Sequence, residues 1–215
     1  MNICKKAASL SIFSTLLLST AVIAEEAKTD MQAYSPWQVR LRAIDVIPDT
    51  DSKLVGIAGK AEANTNIVPE FDISYYFTKN ISAELILATT EHKAKVKDGA
   101  STTQLGSVWL LPPTLTAQYH FNTDGMVQPY VGAGINYTWF YNVDKGPGLD
   151  RVQYEDSFGE VLQAGVDIMK DEHWGWNFDV KKVFLNTDVS VNNGGITGNV
   201  DLDPWIIGTG ITYRF

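Results

Sequence analysis

The sequence predicts an all-β protein, an eight-stranded antiparallel transmembrane β-barrel. Three observations carry that prediction. The chain opens with an export segment, alternates apolar and polar residues in eight separate stretches, and ends on an aromatic strand. The expected organisation is a cleaved signal peptide over 1–24 and a single outer-membrane β-barrel domain over 25–215.

The export segment comes first. Lys5 and Lys6 precede an apolar run from Ala7 to Ile23, and Val22-Ile23-Ala24 offers short residues before Glu25. Cleavage after Ala24 is expected, following Sec-type export. The alternative is an uncleaved anchor, but the run is short against the about 20 residues a helical span needs. Of the 17 basic and 25 acidic residues, only Lys5 and Lys6 leave with this segment, so 15 stand against 25, a net of −10. Phosphate binding needs a basic surface, so nucleic acid is excluded as a partner. The one cysteine, Cys4, leaves too, and with it any disulfide framework or thiol chemistry. No later segment reaches helical membrane-spanning length, and the 45% hydrophobic content reads as moderate. Barrel strands average out in this way, because one residue in two faces lipid.

The eight stretches follow in order. Trp37, Val39, Leu41 and Ala43 alternate with Gln38, Arg40 and Arg42. Phe71, Ile73, Tyr75 and Phe77 alternate with Glu70, Asp72, Ser74 and Tyr76; Ile81, Ala83, Leu85 and Leu87 with Ser82, Glu84, Ile86 and Ala88. Leu115, Ala117, Tyr119 and Phe121 alternate with Thr114, Thr116, Gln118 and His120; Val131, Ala133, Ile135, Tyr137 and Trp139 with Gly132, Gly134, Asn136 and Thr138. Leu162, Ala164, Val166 and Ile168 alternate with Gln163, Gly165 and Asp167; Trp176, Phe178 and Val180 with Asn177, Asp179 and Lys181. The last stretch sets Ile207, Thr209, Ile211, Tyr213 and Phe215 against Gly208, Gly210, Thr212 and Arg214. A period of two places each set on one face of a strand.

Connections alternate in length. Thr78–Asn80, Asn122–Gly125 and Lys170–Glu172 are tight turns. The stretches near 47–68, 92–112, 142–157 and 188–203 read as longer polar or glycine-rich loops. Short turns on one side and long loops on the other match a barrel with its short side in the periplasm. Trp37, Phe77, Phe121, Trp174, Trp176, Tyr213 and Phe215 are then expected at the periplasmic rim, and Phe71, Trp139 and Trp205 at the outer rim. A soluble sandwich or lipocalin-like barrel is the structural competitor. It would bury the apolar face and leave the charged one outside.

The charges of the opposite face form a candidate lumen network: Arg40, Arg42, Asp72, Glu84, Asp167, Asp179, Lys181 and Arg214. Eight strands enclose a space just wide enough for side chains or one small ligand. The network is therefore either a structural plug or a polar conduit, and buried charges demand partners in both cases. Gly132, Gly134, Gly165, Gly208 and Gly210 face the same way, as packing relief or as part of a passage. Lys182 breaks the alternation, which places it at the outer rim or at a bulge.

Chemistry beyond the barrel is sparse. His92, His120 and His173 show no metal-binding spacing, and no nucleophile is paired with a base, so neither an enzyme nor a cofactor is expected. Val108–Pro113 is apolar within a long loop, which marks Trp109, Leu110 and Leu111 as a candidate channel mouth. They could equally dip into the outer leaflet. The Ser190–Asp203 stretch reads as a hydrated loop, with calcium binding through Asp201 and Asp203 the lesser alternative.

Three motifs then carry a resemblance. Leu111-Pro112-Pro113-Thr114-Leu115-Thr116-Ala117-Gln118-Tyr119, the run from Gln128 through Pro129-Tyr130-Val131-Gly132-Ala133-Gly134 to Thr138, and Leu202-Asp203-Pro204-Trp205 with the ending Gly210–Phe215 stand in one order. In these motifs and across nearly all of the mature chain, the sequence resembles the OmpW family of small outer-membrane porin-like proteins. The resemblance implies an eight-stranded barrel with a narrow, largely hydrophobic channel in the Gram-negative outer membrane. It implies passive entry of small hydrophobic molecules, with exit sideways into the membrane. Outer-membrane lipids, the barrel-assembly machinery and a small hydrophobic solute are the expected partners. The final strand, through Tyr213 and Phe215, resembles the signal that the assembly machinery reads. The alternative function is a non-conducting interaction or structural barrel acting through its extracellular loops, as an adhesin, a phage or bacteriocin receptor, or a stress-response component.

Overall fold

The structure, a computed structural model, describes residues 35–98 and 101–215. The expected signal peptide, 1–24, lies outside the described residues. Fifteen strands follow one another: β1 Trp37–Ile47, β2 Asp51–Val55, β3 Lys60–Ala63, β4 Asn66–Tyr76, β5 Ile81–Ala88, β6 Thr90–Asp98, β7 Ser101–Leu111, β8 Thr114–His120, β9 Val127–Lys145, β10 Val152–Tyr154, β11 Ser157–Met169, β12 Trp174–Phe184, β13 Asn186–Val191, β14 Ile196–Asp201 and β15 Trp205–Arg214.

Eight of them close a ring in the order β1-β4-β5-β8-β9-β11-β12-β15, every pairing antiparallel. Closure leaves no free edge. The first and last strands meet along ten paired residues, Gln38↔Arg214 to Ile47↔Trp205. The outer face is apolar and exposed: Leu41, Leu85, Leu115, Ile135, Leu162, Phe178 and Ile207 all point away from the barrel. Trp37, Tyr75 and Phe77, then Tyr119 and Phe121, then Trp174, Tyr213 and Phe215, pack ring against ring along the short-turn rim, with centroids 4.7–5.2 Å apart. Along β12 the belt runs from Trp174 to Phe184, a height of about 25 Å once the strand tilt is allowed for. This is the outside of a membrane barrel.

Two rim residues take positions of note. Phe71 pairs with Leu41 and Leu87, so it lies near the middle of the belt and not at the outer rim. Its strand begins earlier than the alternation suggested, at Asn66, which pushes the rim upward. Lys182 keeps register with both Leu162 and Trp205, so no bulge is present there. It sits at the outer rim, where its ammonium donates to the Asp203 carbonyl, lies 3.4 Å from Asp49 Oδ2 and 5.1 Å over the Trp205 ring.

The stretches expected to be loops are largely strands. β2, β14, β13 and β10 form one sheet above the barrel, while β3, β6 and β7 continue from the upper part of β9. Their inward positions, Val96, Leu105, Val152, Val189, Val191 and Val200, pack into a small apolar core. Outside the membrane the opposite face is polar, so average hydropathy hides the alternation. The Ser190–Asp203 stretch accordingly forms a hairpin and not a hydrated loop. Its turn places Asn192, Asn193 and Gly194 at φ 52°, 55° and 96°, the left-handed conformation that Asn and Gly tolerate best.

Candidate functional site: the barrel interior

The interior divides into a charged lower half and an apolar upper half. The division follows β1, whose inward residues read Gln38, Arg40, Arg42, Ile44, Val46 from the periplasmic end.

In the lower half, register alone brings the first partners together: Arg40 lies opposite Asp72, and Arg42 opposite Glu70. The remaining partners come from across the barrel. Arg40 donates through Nη2 and Nε to both oxygens of Asp167, at 2.8 and 3.2 Å, and through Nη1 to Glu84 at 2.8 Å. Arg42 donates to Glu70 at 2.8 Å and to Asn177 at 3.0 Å, and its Nη2 lies 2.6 Å from Asp72. Lys181 joins Glu70 and Asp179, both at 2.8 Å. Neutral groups complete the set. Gln118 and Gln163 donate to Glu84 at 2.6 and 2.9 Å, and the Tyr130 hydroxyl donates to Asp179 at 2.6 Å. Gly165 makes room for that tyrosine, because a Cβ there would stand 2.4 Å from the Tyr130 ring. Arg214 closes the bottom, donating to Gln38 at 2.8 Å and stacking 4.9 Å from the Tyr76 ring.

Taking a charge out of water costs several kcal/mol per ion in practice, and only multiple well-placed partners offset it. These side chains meet that condition, and Arg40, Asp72, Glu84, Asp167 and Asn177 are inaccessible to solvent. Two cavities flank the network and share no lining residue among those described. One opens at the periplasmic side beside Tyr76, Gln128 and Arg214. The other is the chamber of the upper half.

That chamber has a volume of about 130 Å³. Its walls are Ile44, Ile86, Val161, Val183, Leu110 and Phe140, with Leu105, Val189 and Val200 higher up. Its floor is the Glu70–Lys181 pair. The polar groups on the wall are mostly satisfied by one another. Asn136 donates to Thr114 at 2.8 Å and accepts from Thr138 at 2.7 Å. His92 donates through Nδ1 to the Asn64 carbonyl at 2.8 Å, and burial lowers its pKa. Burial likewise pushes the Tyr154 phenol up to about 12. Both groups are held neutral in an apolar setting.

All eight charges of the expected lumen network, Arg40, Arg42, Asp72, Glu84, Asp167, Asp179, Lys181 and Arg214, lie on the inner face. Alternation had also placed Glu70 there without assigning it a role, yet it binds both Arg42 and Lys181. Of the candidate mouth residues, Leu110 lines the chamber, while Trp109 and Leu111 point outward, with the Trp109 ring 6.3 Å from Tyr141. A strand sends consecutive residues to opposite faces, which a loop reading could not anticipate. Tyr213 and Phe215 lie on the outer surface at the periplasmic rim. The Phe215 N–H donates to the Trp37 carbonyl at 3.1 Å, so the last strand is paired and not free in the closed barrel.

Comparison with known proteins agrees with this architecture. The OmpW family profile matches residues 35–215. An uncharacterized outer-membrane protein of Sinorhizobium fredii is 47% identical over 186 residues, covering 84% of this chain and 80% of its own. Outer membrane protein W of Salmonella typhimurium is 33% identical over 219 residues, 98% of this chain and 100% of its own. Among solved structures, the outer membrane protein OprG of Pseudomonas aeruginosa superposes with a TM-score of 0.77 at 30% identity, covering 85% of this chain and 97% of its own.

Proposed function

The chain belongs to the OmpW family, and from that premise we propose that it is a narrow passive channel for small hydrophobic molecules. Membership makes it a non-enzymatic barrel of the Gram-negative outer membrane, set in lipid. The observation that carries the finer reading is the apolar chamber standing on a charged floor. An apolar solute gains about 25 cal/mol for each Å² it withdraws from water, and a polar solute gains little. The chamber therefore collects the first kind.

The charge network blocks a straight path, so the solute leaves through the wall. Pairing of β5 with β8 ends at Ile86↔Thr114, and pairing resumes above as Thr90↔Leu110 of β6 and β7. Between these points stand Pro112 and Pro113, which have no N–H to donate. Ala88 and Pro112 line the chamber there. That seam leads sideways into the outer leaflet. Tyr213 and Phe215 belong to an earlier event in the same proposal, engaging the assembly machinery before β15 pairs with β1.

The test fills the chamber. Leu110→Trp and Val183→Phe are made separately, and each is checked for unchanged mobility of the unheated barrel on a gel. Uptake of a labelled aromatic hydrocarbon is then followed in cells that lack the native protein. Rates should drop to those of cells without the barrel. Filled variants that transport as fast as the parent would sink the channel reading.

A further inference from the structure

We propose that the chamber floor is a head-group subsite that takes apolar molecules bearing one hydroxyl and turns away carboxylates of the same length. This rests on the channel reading and names the solute class within it.

The floor is unlike the walls. Thr114, Asn136 and Thr138 spend their polar atoms on each other and on the Pro112 carbonyl, so they ask nothing of a solute. Glu70 and Lys181 do not. Glu70 Oε1 accepts from Arg42 and Lys181, both at 2.8 Å, whereas Oε2 takes one longer bond from Lys181, at 3.2 Å. A carboxylate has about four lone-pair sites, so Oε2 keeps acceptor capacity, and Glu70 lines the cavity. The Lys181 ammonium has three N–H groups and faces the two carboxylates of Glu70 and Asp179. Its hydrogen bonds go to the two oxygens of Glu70, while Asp179 Oδ1, 2.8 Å away, accepts none, which leaves one N–H for a third partner. A hydroxyl both donates and accepts, so it fits an acceptor set beside an ammonium.

Charge decides what does not fit. At and beneath the floor, Arg40, Arg42, Lys181 and Arg214 are shared among the acidic side chains Glu70, Asp72, Glu84, Asp167 and Asp179, so no cation there is left without an acidic neighbour or an amide partner. A neutral head adds nothing to that balance. A carboxylate brings a second negative charge beside Glu70, whose cations Arg42 and Lys181 are already paired with Glu70, Asp72 and Asp179, in a setting with little water to screen it. Glu70 is the acidic side chain of that cluster that lines the chamber.

The test is a titration of the intact barrel in lipid nanodiscs at about pH 8, with 1-octanol, octanoate and octane, subtracting empty discs. Methyl signals of Ile44, Val161 and Val183 report chamber occupancy, and the Lys181 side-chain nitrogen reports the floor. Octanol should shift the methyls saturably and move the Lys181 signal. Octane should shift the methyls alone. Octanoate should need at least about tenfold more ligand than octanol, equivalent to about 1.4 kcal/mol. Glu70→Gln should narrow that gap by raising octanoate affinity. Octanoate binding the parent barrel as tightly as octanol, or a Lys181 signal indifferent to octanol, overturns the inference while octane binding keeps the channel reading intact. Failure of all three ligands to shift the methyls removes both. The parent comparison decides the matter even if Glu70→Gln does not assemble.

Discussion

The lower and upper halves of the barrel interior are built from the same eight strands, yet they solve opposite problems. Below, space is filled: guanidinium, carboxylate and amide groups interlock until no solvent reaches Arg40 or Glu84. Above, Ile44, Ile86, Val161 and Val183 occupy the equivalent inward positions and leave a cavity. Branched aliphatic side chains are shorter than arginine and make no directed bonds, so they line a wall without bridging it. A polar interior is thus the rigid plug, and an apolar interior is the accommodating space. The lesson runs against the habit of equating charge with a water path and apolar packing with closure.

The comparison can be broken most severely from below. Arg40→Met leaves Asp167 buried without its cation and Asp72 and Glu84 with Arg42 alone, and loss of one buried partner typically costs about 3–5 kcal/mol. Urea unfolding in lipid vesicles should show that loss or a failure to assemble. A destabilisation under about 1 kcal/mol would mean the network is not the structural plug described.

Gly165→Val is next. Its side chain meets the Tyr130 ring and the Phe178 carbonyl, where an ideal Cβ already stands 2.4 and 2.7 Å away. Overpacking of this kind costs about 1–3 kcal/mol. The unfolding midpoint should fall, and Gly165→Ala should fall less.

In the upper half the same scale of surgery should be tolerated. Leu110→Ala removes a wall residue beside an existing void, so it should cost under about 2 kcal/mol, at or below the low end for buried leucines. The measured loss should be smaller than that of Arg40→Met, and reversal of this order would contradict the contrast between the halves.

The smallest effect concerns pH. Burial lowers the pKa of His92, which therefore stays neutral in the fold below the value near 6.5 at which an unfolded histidine takes up its proton. As pH drops through about 6.5, the unfolded state gains a proton that the folded state lacks, and local stability around β6 declines. Protection factors in β6, with exchange taken relative to the intrinsic amide rate at each pH, should fall between about pH 7.5 and 5.5, and His92→Gln should remove most of that dependence. An equal fall in protection in the variant would assign it to other groups.

Much of this was legible along the chain because a strand's side-chain period is local. Which residues face lipid in the segments from Trp37 to Phe215 follows from neighbours one and two positions away. Alternation tells which face a residue occupies, but not how the character of that face changes along the strand. Past Arg42 the inward face of β1 continues with Ile44 and Val46, where the apolar chamber begins. The same extension along β7 separates Leu110 from Trp109 and Leu111. The upper strands were missed for a related reason: a polar outer face outside the membrane conceals the valines beneath it.

By itself, then, the sequence determined an eight-stranded membrane barrel and the inward or outward sense of nearly every side chain in its spanning strands. Tertiary structure alone decided what those inward side chains meet. Arg40 and Asp167 lie 127 residues apart and bond only because ring closure places β1 across from β11. Alternation puts Glu70 on the inner face; only the register of β1 on β4, with Lys181 reaching across, shows that it binds both Arg42 and Lys181. Periodicity is fixed within a strand, whereas register and closure belong to the whole sheet, and the floor that separates plug from chamber exists only once that sheet has closed.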